Sequence, residues 1–142
     1  MDNILVVEDH LELYPWMETS VADDGRTVYT ATTREKALQL ISQYDFDVVV
    51  TDLALENDYL QDGIDVLNAA KEKDPYTEII VVTSKGTWKW GVKAMALGAF
   101  DYLQKDAMGV DVAVMLRAKV KQALKLRKAQ LKSNMVSQGG ND

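Results

Sequence analysis

Val48-Val49-Val50-Thr51-Asp52 is the stretch that decides the fold of this chain. Three consecutive β-branched residues favour an extended strand. Apolar on both faces, that strand must be covered on both sides, which is the situation inside a parallel sheet layered between helices. The run stops on a polar pair, so Thr51 and Asp52 mark the carboxyl end of the strand.

The same unit recurs outward in both directions. Ile4-Leu5-Val6-Val7 is a continuous apolar run that stops at Glu8-Asp9, and the spacing of Leu11 to Val21 predicts a helix, with Pro15 tolerable only near its first turn. Asp23-Asp24-Gly25 is a stop signal, and Thr27 to Ala31 reads as the second strand. Thr32-Thr33-Arg34-Glu35 contains a Thr-x-x-Glu capping box, opening a helix with a predicted buried stripe of Ala37, Leu38 and Ile41. After Asp52 come a helix over Gly63 to Lys73, a fourth strand over Ile79 to Val82 ending at Thr83-Ser84, and a helix over Trp88 to Leu97 stopped by Gly98. Phe100 to Gln104 is the fifth strand, ending at Lys105. Val110 to about Ser133 reads as one long helix, and Ser137 to Asp142 as a frayed tail. Five βα units in a row imply an α/β fold with a doubly wound parallel sheet, because right-handed crossovers place helices on both faces.

Composition sets limits on the chemistry. The chain has 142 residues, enough for one ordinary domain, and no cysteine, so disulfides, thiolate zinc sites and Cys nucleophiles are excluded together. Met1-Asp2-Asn3 is not a basic leader, and no apolar stretch reaches the ~20 residues needed to span a bilayer, so a soluble cytoplasmic chain with no membrane partner is expected. The net charge of -6 is uneven. Arg117, Lys119, Lys121, Lys125, Arg127, Lys128 and Lys132 form a basic run, while residues 1–116 hold 21 of the 22 acids and nine of the 16 bases, a net of −12. The basic run is read first as a solvated helix face rather than a nucleic-acid patch, and direct nucleic-acid binding is not expected. Neither G-x-G-x-x-G after the first strand nor G-x-x-x-x-G-K-[ST] occurs, which argues against a nucleotide site.

The strand ends carry the informative polar residues: Glu8-Asp9, Asp52, Thr83 and Lys105. In open α/β sheets, ligands bind just outside those carboxyl ends. Three carboxylates together call for a cation, and an all-oxygen set with waters suits Mg²⁺ better than a transition metal. Lys105 adds a positive charge and Thr83 a hydroxyl donor, a pair that suits phosphoryl oxygens.

These residues, in this order, resemble the receiver domains of two-component response regulators. In that family an acidic pair ends the first strand, an Asp the third, a Thr or Ser the fourth and a Lys the fifth. Tyr102, three positions before Lys105, fills the family's aromatic position, and Leu97-Gly98-Ala99-Phe100-Asp101-Tyr102-Leu103-Gln104-Lys105 resembles its fifth-strand signature. The resemblance covers residues 3 to about 125. It implies a flavodoxin-like sheet of order 2-1-3-4-5, with residues 1–125 as the receiver domain and 126–142 as a helical extension and disordered tail that could link to an output domain. It also implies phosphorylation of Asp52 by a sensor histidine kinase or phosphotransfer protein. Mg²⁺ would be held by Asp9, Asp52, the Ala54 carbonyl and, through water, Glu8. Thr83 and Tyr102 would form a switch acting on the face made by the fourth helix, fifth strand and fifth helix, a face open to homodimerisation. A receiver of this kind catalyses only its own phosphorylation and dephosphorylation. Competing readings are a phosphorylation-independent interaction module of the same fold and a Mg²⁺-dependent small-molecule phosphotransferase.

Two departures from the family pattern stand out. The loop Glu56 to Asp62 is about three residues longer than usual, with Glu56 where a proline is typical and Gly63 eleven positions after Asp52; a tolerated insertion is the plainer reading, a gate the other. Asp106 follows Lys105 where many receivers have a cis proline. His10, the only histidine, is read as a loop residue near the site rather than a zinc ligand. Trp88 and Trp90, two apart on one helix, cannot both face the core, so at least one is expected at the surface as a partner contact. Val120, Leu124 and Leu131 form a weak heptad seam that Arg127 interrupts.

Overall fold

Val48–Thr51 lies in the middle of the sheet, where its two-sided apolar character requires it. The computed structural model describes residues 1–10, 14–23, 25–55, 60–84, 88–105 and 111–139. Strands and helices alternate: β1 (Asp2–Val7), α1 (Tyr14–Val21), β2 (Arg26–Ala31), α2 (Arg34–Gln43), β3 (Val48–Thr51), α3 (Gln61–Lys73), β4 (Glu78–Thr83), α4 (Trp88–Ala96), β5 (Asp101–Gln104) and α5 (Val112–Gly139). The five strands are all parallel, in the order β2-β1-β3-β4-β5. This is the expected doubly wound, flavodoxin-like sheet with an extended last helix.

Alternate residues of the central strands feed two core layers. Leu5, Val7, Val49, Ile79 and Val81 meet Ala37, Leu40 and Ile41 of α2, Ile64 and Leu67 of α3, and Ala94 of α4. Ile4, Val6, Val48, Val50, Ile80 and Val82 meet Met17 and Val21 of α1 and Leu116, Val120, Ala123 and Leu124 of α5. Helices therefore cover both faces.

Several local expectations are corrected. The N-cap of α2 is Thr33, whose side chain accepts from the Lys36 backbone N–H, so the box opening at Thr32 does not form. Its buried stripe is Ala37, Leu40 and Ile41, because Leu40 stands three residues from Ala37 and beside Ile41 on the face that meets the sheet, while Leu38 sits on the flank of that face and is half-buried. The last helix does not stop near Ser133 but runs to Gly139, so Ser137 to Gly139 are helical rather than frayed. Residues 56–59 of the long loop, Asp106 and residues 140–142 lie outside the described residues.

Five of the seven residues of the basic run on α5 are exposed, as expected of a solvated face, and three of the seven reach acids on the body of the domain. Lys119 meets Asp101 at 2.9 Å, Lys128 meets Asp2 at 3.3 Å, and Arg127 contacts Asp47 at 2.7 Å and Asp74 at 3.0 Å. Val120 and Leu124 are spent on the core. Arg127 interrupts the heptad because it faces the body of the domain. Among the described residues no helix is long and apolar enough to cross a membrane.

Candidate functional site

Three of the polar residues expected at the strand ends, Glu8, Asp52 and Lys105, are pinned by backbone hydrogen bonds just beyond the sheet, and Thr83 is the last residue of β4. The Glu8 N–H donates to the Ala31 carbonyl at 3.0 Å, the Asp52 N–H to Val7 at 3.1 Å and the Lys105 N–H to Thr83 at 2.8 Å. The ladder is thus extended by one residue on three strands, which brings the side chains of β1, β3 and β5 to one edge. Asp52 is fixed further from α3. The Gly63 N–H donates to the Leu53 carbonyl at 2.8 Å, and a β-carbon on Gly63 would overlap the Asp52 carbonyl oxygen and the Leu53 α-carbon. Only glycine lets α3 approach this closely.

The side chains converge. Glu8 is fully buried and Asp52 nearly so. Lys105 Nζ stands 2.6 Å from Asp52 Oδ2 and 2.7 Å from Glu8 Oε2. Burial opposes the ammonium charge, but Asp52 and then Glu8 more than offset this, so the Lys105 pKa is raised. The Ala54 N–H lies 3.4 Å from Asp52 Oδ1, a long contact. Thr83 is buried at the end of β4, and Tyr102 is partly buried against the core layer that contains Val81.

His10 lies beside this centre, as the sequence suggested. Its Nδ1 is 3.0 Å from Glu8 Oε1 and 3.2 Å from Asp9 Oδ1. The Glu8 hydrogen bond, then the Asp9 charge, raise its pKa. The Asp9 contact is within ion-pair range, yet Asp9 Oδ1 is buried without a hydrogen-bond partner, so the pairing lacks hydrogen-bond alignment. Ligand atoms of Glu8, Asp9, His10 and Asp52 all lie within 4.8 Å of one another. A carboxylate-rich cluster with an orphaned buried oxygen fits a hard divalent cation.

The fold agrees with the comparisons. The family model for the response regulator receiver domain matches residues 4–117. This chain belongs to the response regulator receiver family. Among curated relatives it is 27% identical over 94% of its length to a putative NtrX-like response regulator of Rickettsia conorii, and 30% identical over 81% to the two-component response regulator PhoP of Pseudomonas aeruginosa. It spans 28% and 50% of those two proteins. Among solved structures, a response regulator receiver domain protein from Clostridium thermocellum superposes with a TM-score of 0.73 at 26% identity, covering 92% of this chain and 99% of that one.

On the receiver's flank, Trp88 is 61% exposed with Lys89 Nζ 5.7 Å from its ring, whereas Trp90 packs partly against the core with Lys93 Nζ at 4.7 Å. Val92 and Met95 are exposed beside Trp88, at spacings of four and three residues, so one face of α4 carries an apolar stripe. The sequence reading named Trp88 but not this stripe, which was visible as a 4-3 periodicity.

Proposed function

We propose that this receiver accepts a phosphoryl group on Asp52 from the phosphohistidine of a sensor histidine kinase or phosphotransfer protein. The observation that carries this is the bridge of Lys105 Nζ between Asp52 Oδ2 and Glu8 Oε2, beside Asp9 Oδ1, which is buried without a hydrogen bond. A carboxylate oxygen of Asp52 attacks phosphorus, the phosphorus–nitrogen bond of the donor breaks, and its electron pair returns to the donor imidazole. Lys105 lies where it can exchange its contact with Asp52 for one with an incoming phosphoryl oxygen. Asp9, Asp52, the Ala54 carbonyl and, through water, Glu8 would hold Mg²⁺. Bound there, the ion would supply positive charge against the equatorial phosphoryl oxygens.

The Thr83 hydroxyl donates to the phosphoryl group, and Tyr102 follows it into the space released. That movement biases the α4-β5-α5 face between two arrangements. The stripe of Trp88, Val92 and Met95 makes that face a docking surface, for a second copy of the chain or for another partner. Such a switch works in the cytoplasm and turns over no substrate but its own phosphoryl group. Beyond the Arg127 clamp, α5 continues to Gly139 as a lead toward an output domain.

Intact mass after incubation with Mg²⁺ and acetyl phosphate tests the reading. One added phosphoryl group is expected on the native chain and none on Asp52→Asn. An adduct of equal yield on Asp52→Asn, or no adduct on a native chain shown to bind Mg²⁺, rejects it.

A further inference from the structure

Tyr102 lies on β5 beside Val81 of β4, and Thr83, two residues beyond Val81, presents to the same face of the sheet. The α4 helix crosses the Tyr102 ring at Gly91. A β-carbon built on Gly91 would stand 2.7 Å from both Cδ2 and Cε2 of Tyr102 and 2.9 Å from Cζ. Carbon atoms pack at about 3.5–4.0 Å, so no side chain fits at this position while the ring stays in place.

Backbone freedom does not explain this glycine. Among the described glycines only Gly25 and Gly98 have positive φ, and Gly91 sits mid-helix, where alanine would raise the folding constant roughly fivefold. What Gly91 contributes is space.

We propose that Gly91 is a positioning residue for the Tyr102 switch. Its missing side chain is a slot in α4 that holds the ring in the resting state, so ring and helix move together. The inner side of α4, at Gly91 and Ala94, is buried, while Val92 and Met95 are exposed on the outer side. A displaced ring therefore shifts the outward stripe that partners would read. The inference rests on the reading of Thr83 and Tyr102 as a switch.

The test is a double-mutant cycle on the full chain with Gly91→Ala and Tyr102→Val, the latter removing the three ring atoms that the β-carbon would meet. Urea unfolding is expected to show Gly91→Ala lowering the folding constant about tenfold or more when Tyr102 is present. In the Tyr102→Val chain the same change raises it about fivefold. Equal effects in both backgrounds overturn the slot. The second readout is the ¹³C-tyrosine signal of Tyr102, assigned by its loss in Tyr102→Val, before and after acetyl phosphate with Mg²⁺. In Gly91→Ala without donor it is expected displaced toward its position in the phosphorylated native chain. Coupling in the cycle with no such displacement overturns the resting-state role. If the native signal stays put while mass confirms the adduct on Asp52, the switch reading fails and the Gly91–Tyr102 coupling stands.

Discussion

Arg127 Nε and Asp47 Oδ1 lie 2.7 Å apart although eighty residues separate them in the chain. Arg127 Nη1 also reaches Asp74 Oδ2 at 3.0 Å. Burial works against the guanidinium charge, but the two carboxylates more than offset it, and the Arg127 pKa is raised. Asp47 precedes β3 and Asp74 precedes β4, so the last helix is clamped to the end of the sheet opposite the acid cluster.

Arg127→Ala is therefore expected to destabilise the domain by about 2 kcal/mol, less than the 3–5 of a fully buried pair because Asp47 and Asp74 keep some contact with water. Lys128→Ala removes a pair whose lysine is 66% exposed, and is expected to change stability by no more than roughly 0.5 kcal/mol. Urea unfolding of the two variants checks the contrast, and equal effects would show that the clamp contributes nothing special.

The approach of α3 to Asp52 leaves no room for a side chain at Gly63, since the obstructing atoms are backbone and cannot swing aside. Gly63→Ala is expected to cost at least about 3 kcal/mol, beyond ordinary overpacking. It should also lower the rate of phosphorylation by acetyl phosphate, because the only relief is to move the end of β3. A variant of native stability and rate would mean that the loop before Gly63 absorbs the change.

How much of this was legible in advance depends on the range of the interaction. The parallel sheet and its two core layers follow from Val48-Val49-Val50 and its repeats, since a strand apolar on both faces must be covered on both, whereas the order 2-1-3-4-5 came only with the family resemblance. The strand-end residues were legible for the same reason: a parallel sheet brings every carboxyl end to one edge. Thr33 was misjudged in favour of Thr32 because two adjacent threonines offer equal side chains, and only backbone dihedrals choose between them. Arg127 looked like a fault in a heptad, as its partners at Asp47 and Asp74 are distant in sequence. Gly91 gave no local signal at all, because its reason is the Tyr102 ring on another element.

Lys105 neutralises two buried acids, and its loss should make the cluster depend on a cation. Lys105→Met is expected to melt below the native chain without divalent ions, because Glu8 and Asp52 then face each other with no ammonium between them. Adding millimolar Mg²⁺ should raise its melting temperature by more than it raises that of the native chain, since binding to the folded state alone stabilises it. Asp9→Asn should abolish most of the increase in both. Differential scanning fluorimetry with and without Mg²⁺ decides this, and an increase untouched by Asp9→Asn places the ion elsewhere.

Glu78 opens β4 almost fully buried, with Lys71 Nζ 3.9 Å away. Burial raises its pKa from the ordinary 4.5, and Lys71 and Arg127 offset this only in part. The folded chain therefore keeps this proton at pH values where the unfolded chain has released it. That contribution to stability is complete below the unfolded value and is lost as pH rises through the folded one. Glu78→Gln keeps the shape and carries no charge at any pH. The remaining groups titrate alike in both proteins, so the difference between them isolates Glu78. The variant is expected to need more urea than the native chain at pH 7.5, with the advantage shrinking toward pH 4. A native chain that is the more stable at pH 7.5 would mean that the Lys71 pairing outweighs the burial of the charge.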